Sequence, residues 1–451
     1  MAHYLEVLTS YLCDSSFDDF PQHVVKRAKE VLADGIAVIA AGAQEEEVKK
    51  LVKILVRPQP EPAATVLGAG VRADALNASL INGTAGTFLE LDEGNQFARG
   101  HPSIHVIPAA LAMAEEKRLS GKEFLCALIL GYEVGARIGI ACKLSMSMHP
   151  HGTWGTVGAA VAVGKLMGYQ QLDMRQIINV SSSLGLATSR RTMLEGGTVR
   201  NVYAGVSGYM GVLAHNLVKS GFTGEADGLS TVFGSVVSDT FSPDAMIEDL
   251  GSRFEIARNY FKRHACCRYN HGSLDALEQI LSKRPDILTS LDQIDKIEVK
   301  TYSLAAQLSN REPDNSLAAK FSVPFAISTY LVHGHAGVES FKTDAVNDPE
   351  VRTLAKKVEV SEDPALTSMM PDKRPSRVRI ILSNGEELEA EAFVNKGDFE
   401  DPYTPKDLED KFYELAGPVW GEKVAQEMHA RIKAFDEMED VNEMTRLAAS
   451  P

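Results

Sequence analysis

Basic residues are scarce in this chain: 46 Lys and Arg stand against 61 Asp and Glu among 451 residues, a formal net charge of -15. No global field therefore draws it to nucleic acid or to anionic lipid, and an anionic ligand needs a local cluster of cations. Cysteine is scarce as well. Cys13, Cys126, Cys142, Cys266 and Cys267 are odd in number and form no CxxC pair, which argues against a disulfide framework or a zinc ribbon and predicts reduced thiols. Uninterrupted apolar runs never approach the length of a membrane span, and MAHYLEVLTSYLCDSSFDDF has no basic stretch followed by an apolar one. A cytoplasmic protein with no membrane partner is expected. No GxGxxG follows a predicted strand, so a dinucleotide site is not expected.

What is present is a large apolar fraction, 44% of the residues, enough to bury a sizeable core in two or three domains. From residue 20 to about 260 apolar positions recur at helical spacing, as in VVKRAKEVLADGIAVIAAGA, ALNASLINGTAGTFLELD and GKEFLCALILGYEVGARIGIACKL. Gly, Ala and Ser recur inside these helices, and residues that small let helix axes approach closely. Near residue 290 the period changes to two. IDKIEVKTY reads as a strand, SRVRIILSNGEELEAEAFV as a hairpin turning at Asn384-Gly385, and KFSVPFAISTYLVHGHAG between them as a helix. A Pro-rich connector then leads into amphipathic helices. The fold class expected is mainly α: a large all-helical domain over 1–264 and 402–451, and a smaller α+β lid domain over 265–401.

Four polar islands interrupt the apolar pattern. LELDEGNQFARGHPSIHVIPAAL brings Asp92, Arg99, His101, Ser103 and His105 within a few turns, with Pro102 suited to the first turn of a helix; the alternative reading is Asp and His as helix caps and His105 satisfied in the core. SMHPHGTWGTVGAA sets His149 and His151 before a Gly/Ala-rich helix whose free N–H groups could hold a carboxylate. HxH can also be a metal pair, but no acidic or thiol partner stands at the usual spacing, so no metal is expected. TSRRTMLEGGTVRNVYAG places Arg190, Arg191, Thr198, Arg200 and Tyr203 around a Gly-Gly turn, and arginine grips carboxylates with paired hydrogen bonds. A solvated loop fits Arg190 and Arg191 better than Arg200. YFKRHACCRYNHGSLDAL packs Lys262, Arg263, His264, Cys266, Cys267, Arg268 and His271 together, where adjacent cations should depress the pKa of a lysine, histidine or thiol.

In order and over nearly the whole chain, these segments resemble the MmgE/PrpD family. The resemblance is carried by DGIAVIAAG, LELDEG followed by GHPS, HPHGTWGTVGAA, GFTGE, FKRHACCRYNH, KFSVPFAI and the late NKG and PYTPKDLEDKF. That family includes 2-methylcitrate dehydratase, cis-aconitate decarboxylase and iminodisuccinate epimerase. The resemblance implies a cleft between the helical domain and the lid, closing helices that return to the first domain, a homodimer, and no metal or other cofactor. By position it makes Asp92, His101, His149 and Lys262 the catalytic residues. Two departures stand out. Dehydratases and decarboxylases of the family carry a lysine in the segment aligned with 195–200, where this chain has Glu-Gly-Gly-Thr-Val-Arg, and decarboxylases carry a histidine where Cys267 falls.

The chemistry implied is proton transfer at the carbon beside a carboxylate, which needs a base matched to the working pH and fixed positive charge around the developing enediolate. His101, His149 and Lys262 are the candidates for moving protons, with Asp92 orienting a histidine. Arg200, Arg268, His271 and the N–H groups after Pro150 are expected to hold a small di- or tricarboxylate, and Arg99, Ser103, His151, Thr198, Tyr203 and Cys267 complete the expected substrate-binding set. Dehydration of a 2-methylcitrate-like hydroxy acid is the first expectation, iminodisuccinate-type epimerisation the second and cis-aconitate-type decarboxylation the third. A reading from another class is a non-catalytic carboxylate sensor, which would need arginines and N–H groups but no clustered His and Lys.

Overall fold

Glycine decides how closely the central helices pack. In the computed structural model, which describes residues 3–58 and 64–448, Gly83 of helix Ala75–Phe88 faces Gly205 of helix Tyr203–Lys219. A Cβ added at Gly83 would lie 2.6 Å from the Gly205 Cα, and one at Gly131 would lie 2.6 Å from the Gly158 carbonyl, so at both crossings the backbones nearly touch. The outermost residues of the expected helical domain, 1, 2 and 449–451, lie outside the described residues, as do 59–63.

Helices Gln22–Gly42, Ala75–Phe88, Pro102–Lys117, Gly121–Ala141, Gly155–Leu166 and Tyr203–Lys219 form the apolar core of the N-terminal part. Gly121–Ala141 is long and apolar enough to cross a membrane, yet 94% of its most apolar window is buried inside the protein, where a core helix belongs. Ser120 starts it with a capping box, its hydroxyl accepting the Glu123 N–H while the Glu123 carboxylate accepts the Ser120 N–H. This part is not purely helical: short antiparallel pairs join Ala64–Val66 to Val71–Ala73 and Cys142–Leu144 to Ser238–Phe241. Three-residue strands carry too little period to be legible beside long helices.

The later part holds a four-stranded sheet. Strand Ile294–Thr301 and hairpin Ser376–Leu382/Glu387–Ala392 form where alternation predicts them, with Gly385 at φ +85° in the turn. A fourth strand, Val358–Glu362, pairs parallel to Ile294–Thr301 at the sheet edge. Sequence reading misses it because VEVSE offers only two apolar side chains. Helix Arg268–Lys283 packs on this sheet, and helix Val323–His333 packs on Arg268–Lys283.

The closing helix Pro405–Trp420 packs back on Gln22–Gly42. Its Lys411 reaches through the core. The buried Lys411 ammonium donates to Asp34 Oδ1 at 2.5 Å and to the Leu91 carbonyl at 2.7 Å, while Asp34 Oδ2 accepts the Glu93 N–H at 3.1 Å. One buried ion pair thus holds the backbone on both sides of Asp92.

Candidate active site

Helix Ala75–Phe88 ends before the acidic run, so Glu90, Asp92 and Glu93 sit in a buried loop rather than at the helix end, and Glu90 adopts φ +57°. The next helix starts at Pro102 as expected, but His101 caps nothing with its side chain. Its Nδ1 lies 2.7 Å from the Glu93 carbonyl and 3.0 Å from Asp92 Oδ2. With a carbonyl facing it, Nδ1 must carry the proton, which leaves Nε2 as the acceptor nitrogen of the neutral ring. The capping explanation of Asp92 and His101 therefore fails. His105 is only half satisfied: Nδ1 bonds the His101 carbonyl at 2.7 Å, and Nε2 is buried without a partner.

Behind His101 runs an alternating chain of buried charges. Lys262 Nζ lies 3.4 Å from Asp92 Oδ1 and 3.8 Å from Glu90 Oε2; Glu90 pairs with Arg200; and Arg200 Nε lies 3.4 Å from His149 Nε2. Two histidines from distant segments are joined through two carboxylates and two cations. Burial disfavours the Asp92 carboxylate, but His101 and then Lys262 outweigh it and hold its pKa well below the usual range. Burial likewise disfavours the Lys262 ammonium, yet Asp92 and Glu90 outweigh it and raise its pKa. The depressed lysine expected from neighbouring cations is thus overturned: the nearest charges to Lys262 in space are carboxylates, and the ammonium stays protonated. The thiols move the same way, since burial pushes Cys266 up to about 12 and Cys267 up to about 11. His149 and His151 do fall well below the ordinary imidazole value, through burial first and the Arg200 charge second, and are neutral near pH 7.

These groups surround a small cavity of about 50 Å³. Of the residues singled out from the sequence, Arg99, His101, His149, His151, Arg200, Cys267 and Arg268 line it. Asp92 and Lys262 stand one layer behind. So does His271, whose Nδ1 meets Arg268 Nη1 at 3.0 Å, and Ser103, whose N–H donates to Glu93 Oε1 at 2.9 Å. Tyr203 hydrogen-bonds Thr192, its ring 6.0 Å from that of His149. Thr198 is exposed and takes no part. Two of the N–H groups after Pro150 are taken, because His151 N–H donates to His149 Nδ1 and Thr153 N–H to the Pro150 carbonyl. The helix begins only at Gly155.

Sequence reading missed Glu90, Tyr260, Tyr269, Phe321 and Arg374, and it put Arg190 on the surface. Glu90 lies inside the quoted LELDEG motif and needed only its neighbours, whereas Arg374 carries no local signal. Arg190 lines the cavity with Nε and Nη1 buried and unpartnered; Arg191 is the exposed one, paired with Glu195. Charge in the lining is unbalanced. Glu90 neutralises Arg200 and Asp398 pairs with Arg268 at 2.6 Å, but among the described residues no carboxylate lies within ion-pair distance of Arg99, Arg190 or Arg374. Asp92, His101 and His151 could offer a metal three ligand atoms within 4.8 Å of one another. The ammonium of Lys262 against Asp92 and the three guanidinium groups without a carboxylate partner oppose a cation there and favour an anion, although Arg374 also donates to the Gln96 carbonyl at 3.2 Å.

Comparison with known proteins agrees with the motif reading. The MmgE/PrpD N-terminal domain model matches residues 6–245 and the MmgE/PrpD C-terminal domain model residues 264–437. Similar proteins include a cis-aconitate decarboxylase of Aspergillus terreus, 26% identical over 98% of this chain and 96% of that protein. Others are the cis-aconitate decarboxylase-like protein oryM of Aspergillus oryzae, 25% identical over 98% and 96%, and the cis-aconitate decarboxylase of Mus musculus, 25% identical over 95% and 90%. With its two halves matched in order around one cation-rich cavity, the chain belongs to the MmgE/PrpD family.

Proposed function

We propose that this protein is a metal-independent lyase for a small tricarboxylate, and that its reaction is decarboxylation of a cis-aconitate-like acid. The observation that carries the reading is the trio of guanidinium groups without a carboxylate partner, Arg99, Arg190 and Arg374, that lines the cavity with His101: three fixed cations suit three carboxylates. The relatives' names support decarboxylation over the dehydration expected first from the sequence. In a β,γ-unsaturated acid the electrons of the breaking C–CO2 bond form a new double bond. The electrons of the old one take a proton at its far carbon, and His101 in its protonated form supplies that proton. CO2 leaves and water restores the imidazolium.

Dehydration is the second reading, favoured by Cys267 in the cavity wall where the resemblance puts a histidine in decarboxylases. There His101 in its neutral form would remove the proton beside a carboxylate, and an acid would expel the neighbouring hydroxyl as water. Arg190 and Arg200 from the 190–200 segment bring cations to the cavity where family members carry a lysine.

Proton NMR in heavy water tests both readings with cis-aconitate, citrate and 2-methylcitrate. Decarboxylation predicts CO2 release and one deuterium in the product from cis-aconitate, at a rate unchanged by chelator. Water loss from a hydroxy acid without CO2 would replace it with dehydration. Inertness towards every polycarboxylate would remove the lyase.

A further inference from the structure

A second chamber of about 300 Å³ adjoins the 50 Å³ inner cavity. The two share Arg99, Pro150, Arg190 and Tyr269 in their walls. The outer chamber is roofed by Ser303, Leu304, Met370 and Pro371 from the later part of the chain and floored by strand Cys142–Leu144 from the earlier part. Its charge is one-sided. Arg99, Lys143 and Arg190 line it and no Asp or Glu does, in a chain whose acidic residues outnumber its basic ones by 61 to 46. Lys143 is exposed and, among the described residues, takes part in no ion pair. A low-dielectric hollow lined by one sign of charge concentrates counter-ions against the repulsion of the rest of the surface. Arg99 and Arg190 line both chambers, so an anion in either one meets the same two guanidinium groups.

We propose that the outer chamber is a capture site for the polycarboxylate substrate, with Lys143 its outermost cation and Arg99 and Arg190 the residues that hand the anion to the inner cavity. The proposal rests on the tricarboxylate reading of the inner site and adds an entry route with its own binding energy.

Lys143→Glu tests it, with the exposed Lys423→Glu carrying the same change of net charge elsewhere. At low ionic strength Lys143→Glu is expected to lower kcat/KM about tenfold, mostly through KM, with the deficit shrinking at about 0.5 M salt, while Lys423→Glu stays within about twofold of the unsubstituted protein. A Lys143→Glu protein within about twofold of the unsubstituted one at low salt would overturn the capture site. Calorimetry with tricarballylate, an unreactive tricarboxylate, separates this from the lyase reading. Binding that weakens in Lys143→Glu, in a protein that turns over no polycarboxylate, would keep the capture site and remove the lyase; binding equal in both proteins would remove the capture site whatever the turnover.

Discussion

His101 and Lys262 stand on the same carboxylate, Asp92, yet their loss has different consequences. His101 borders the cavity and its removal leaves Asp92 still paired with Lys262. His101→Ala is expected to fold normally and to lose roughly 10²–10⁴-fold in kcat, the usual worth of a positioned acid or base. Lys262→Ala removes the ammonium that Asp92 and Glu90 share and leaves these buried carboxylates to His101 and Arg200 alone, at a cost of up to about 3 kcal/mol. Thermal melting of the two variants beside the kinetics checks this: only Lys262→Ala should lose both stability and rate. The neutral histidines have a pH signature. The His149 and His151 pKa values are lowered, so imidazole ¹⁵N shifts should remain those of the neutral rings as pH falls from 7 to about 5.5, past the ordinary histidine value of about 6.5. The sign for stability follows: below about pH 6.5 the unfolded chain takes up protons at these rings that the folded protein does not, so their contribution to stability declines as pH falls.

Among the elements, the closing helix Pro405–Trp420 has the longest reach. Its Lys411 and Asp34 of helix Gln22–Gly42 clamp the Leu91 carbonyl and the Glu93 N–H, so two helices outside the cavity set where Asp92 points. Burial pulls the Lys411 pKa down and pushes the Asp34 pKa up, so each depends on the other to stay charged. Lys411→Met is expected to destabilise by about 3–5 kcal/mol through the orphaned Asp34 and to lower kcat as the Asp92 loop relaxes. Adding Asp34→Leu removes the orphaned charge and should restore most of the stability but not the rate. Urea unfolding of the single and double variants decides it. Recovery of kcat in the double variant would show that the clamp has no part in placing Asp92.

Across the whole molecule, the cavity is walled by segments far apart in the chain: 90–101, 149–151, 190–200 and Tyr260 from the earlier part, and 267–269, Phe321 and Arg374 from the later part. The resemblance also implies a homodimer, and light scattering is expected to give twice the chain mass of 49.0 kDa. A mass of a single chain at micromolar concentration would count against it.

Much of this was legible before any coordinates. Helical period and small residues marked the buried helices, period two marked the central strand and the hairpin, and the His, Arg and Lys islands marked the walls of one site, because each depends on residues adjacent in the chain. Only the tertiary structure decided the charge states and the roles. Lys262 reads as a lysine among cations along the chain but meets two carboxylates in space, and Arg190 fits a solvated loop along the chain but is half-buried, with Nε and Nη1 buried and unpartnered. Arg374 joins the site from a segment with no motif at all. Electrostatic energy falls with distance through space and takes no account of separation along the chain, so a group's protonation and its partners are settled by the fold.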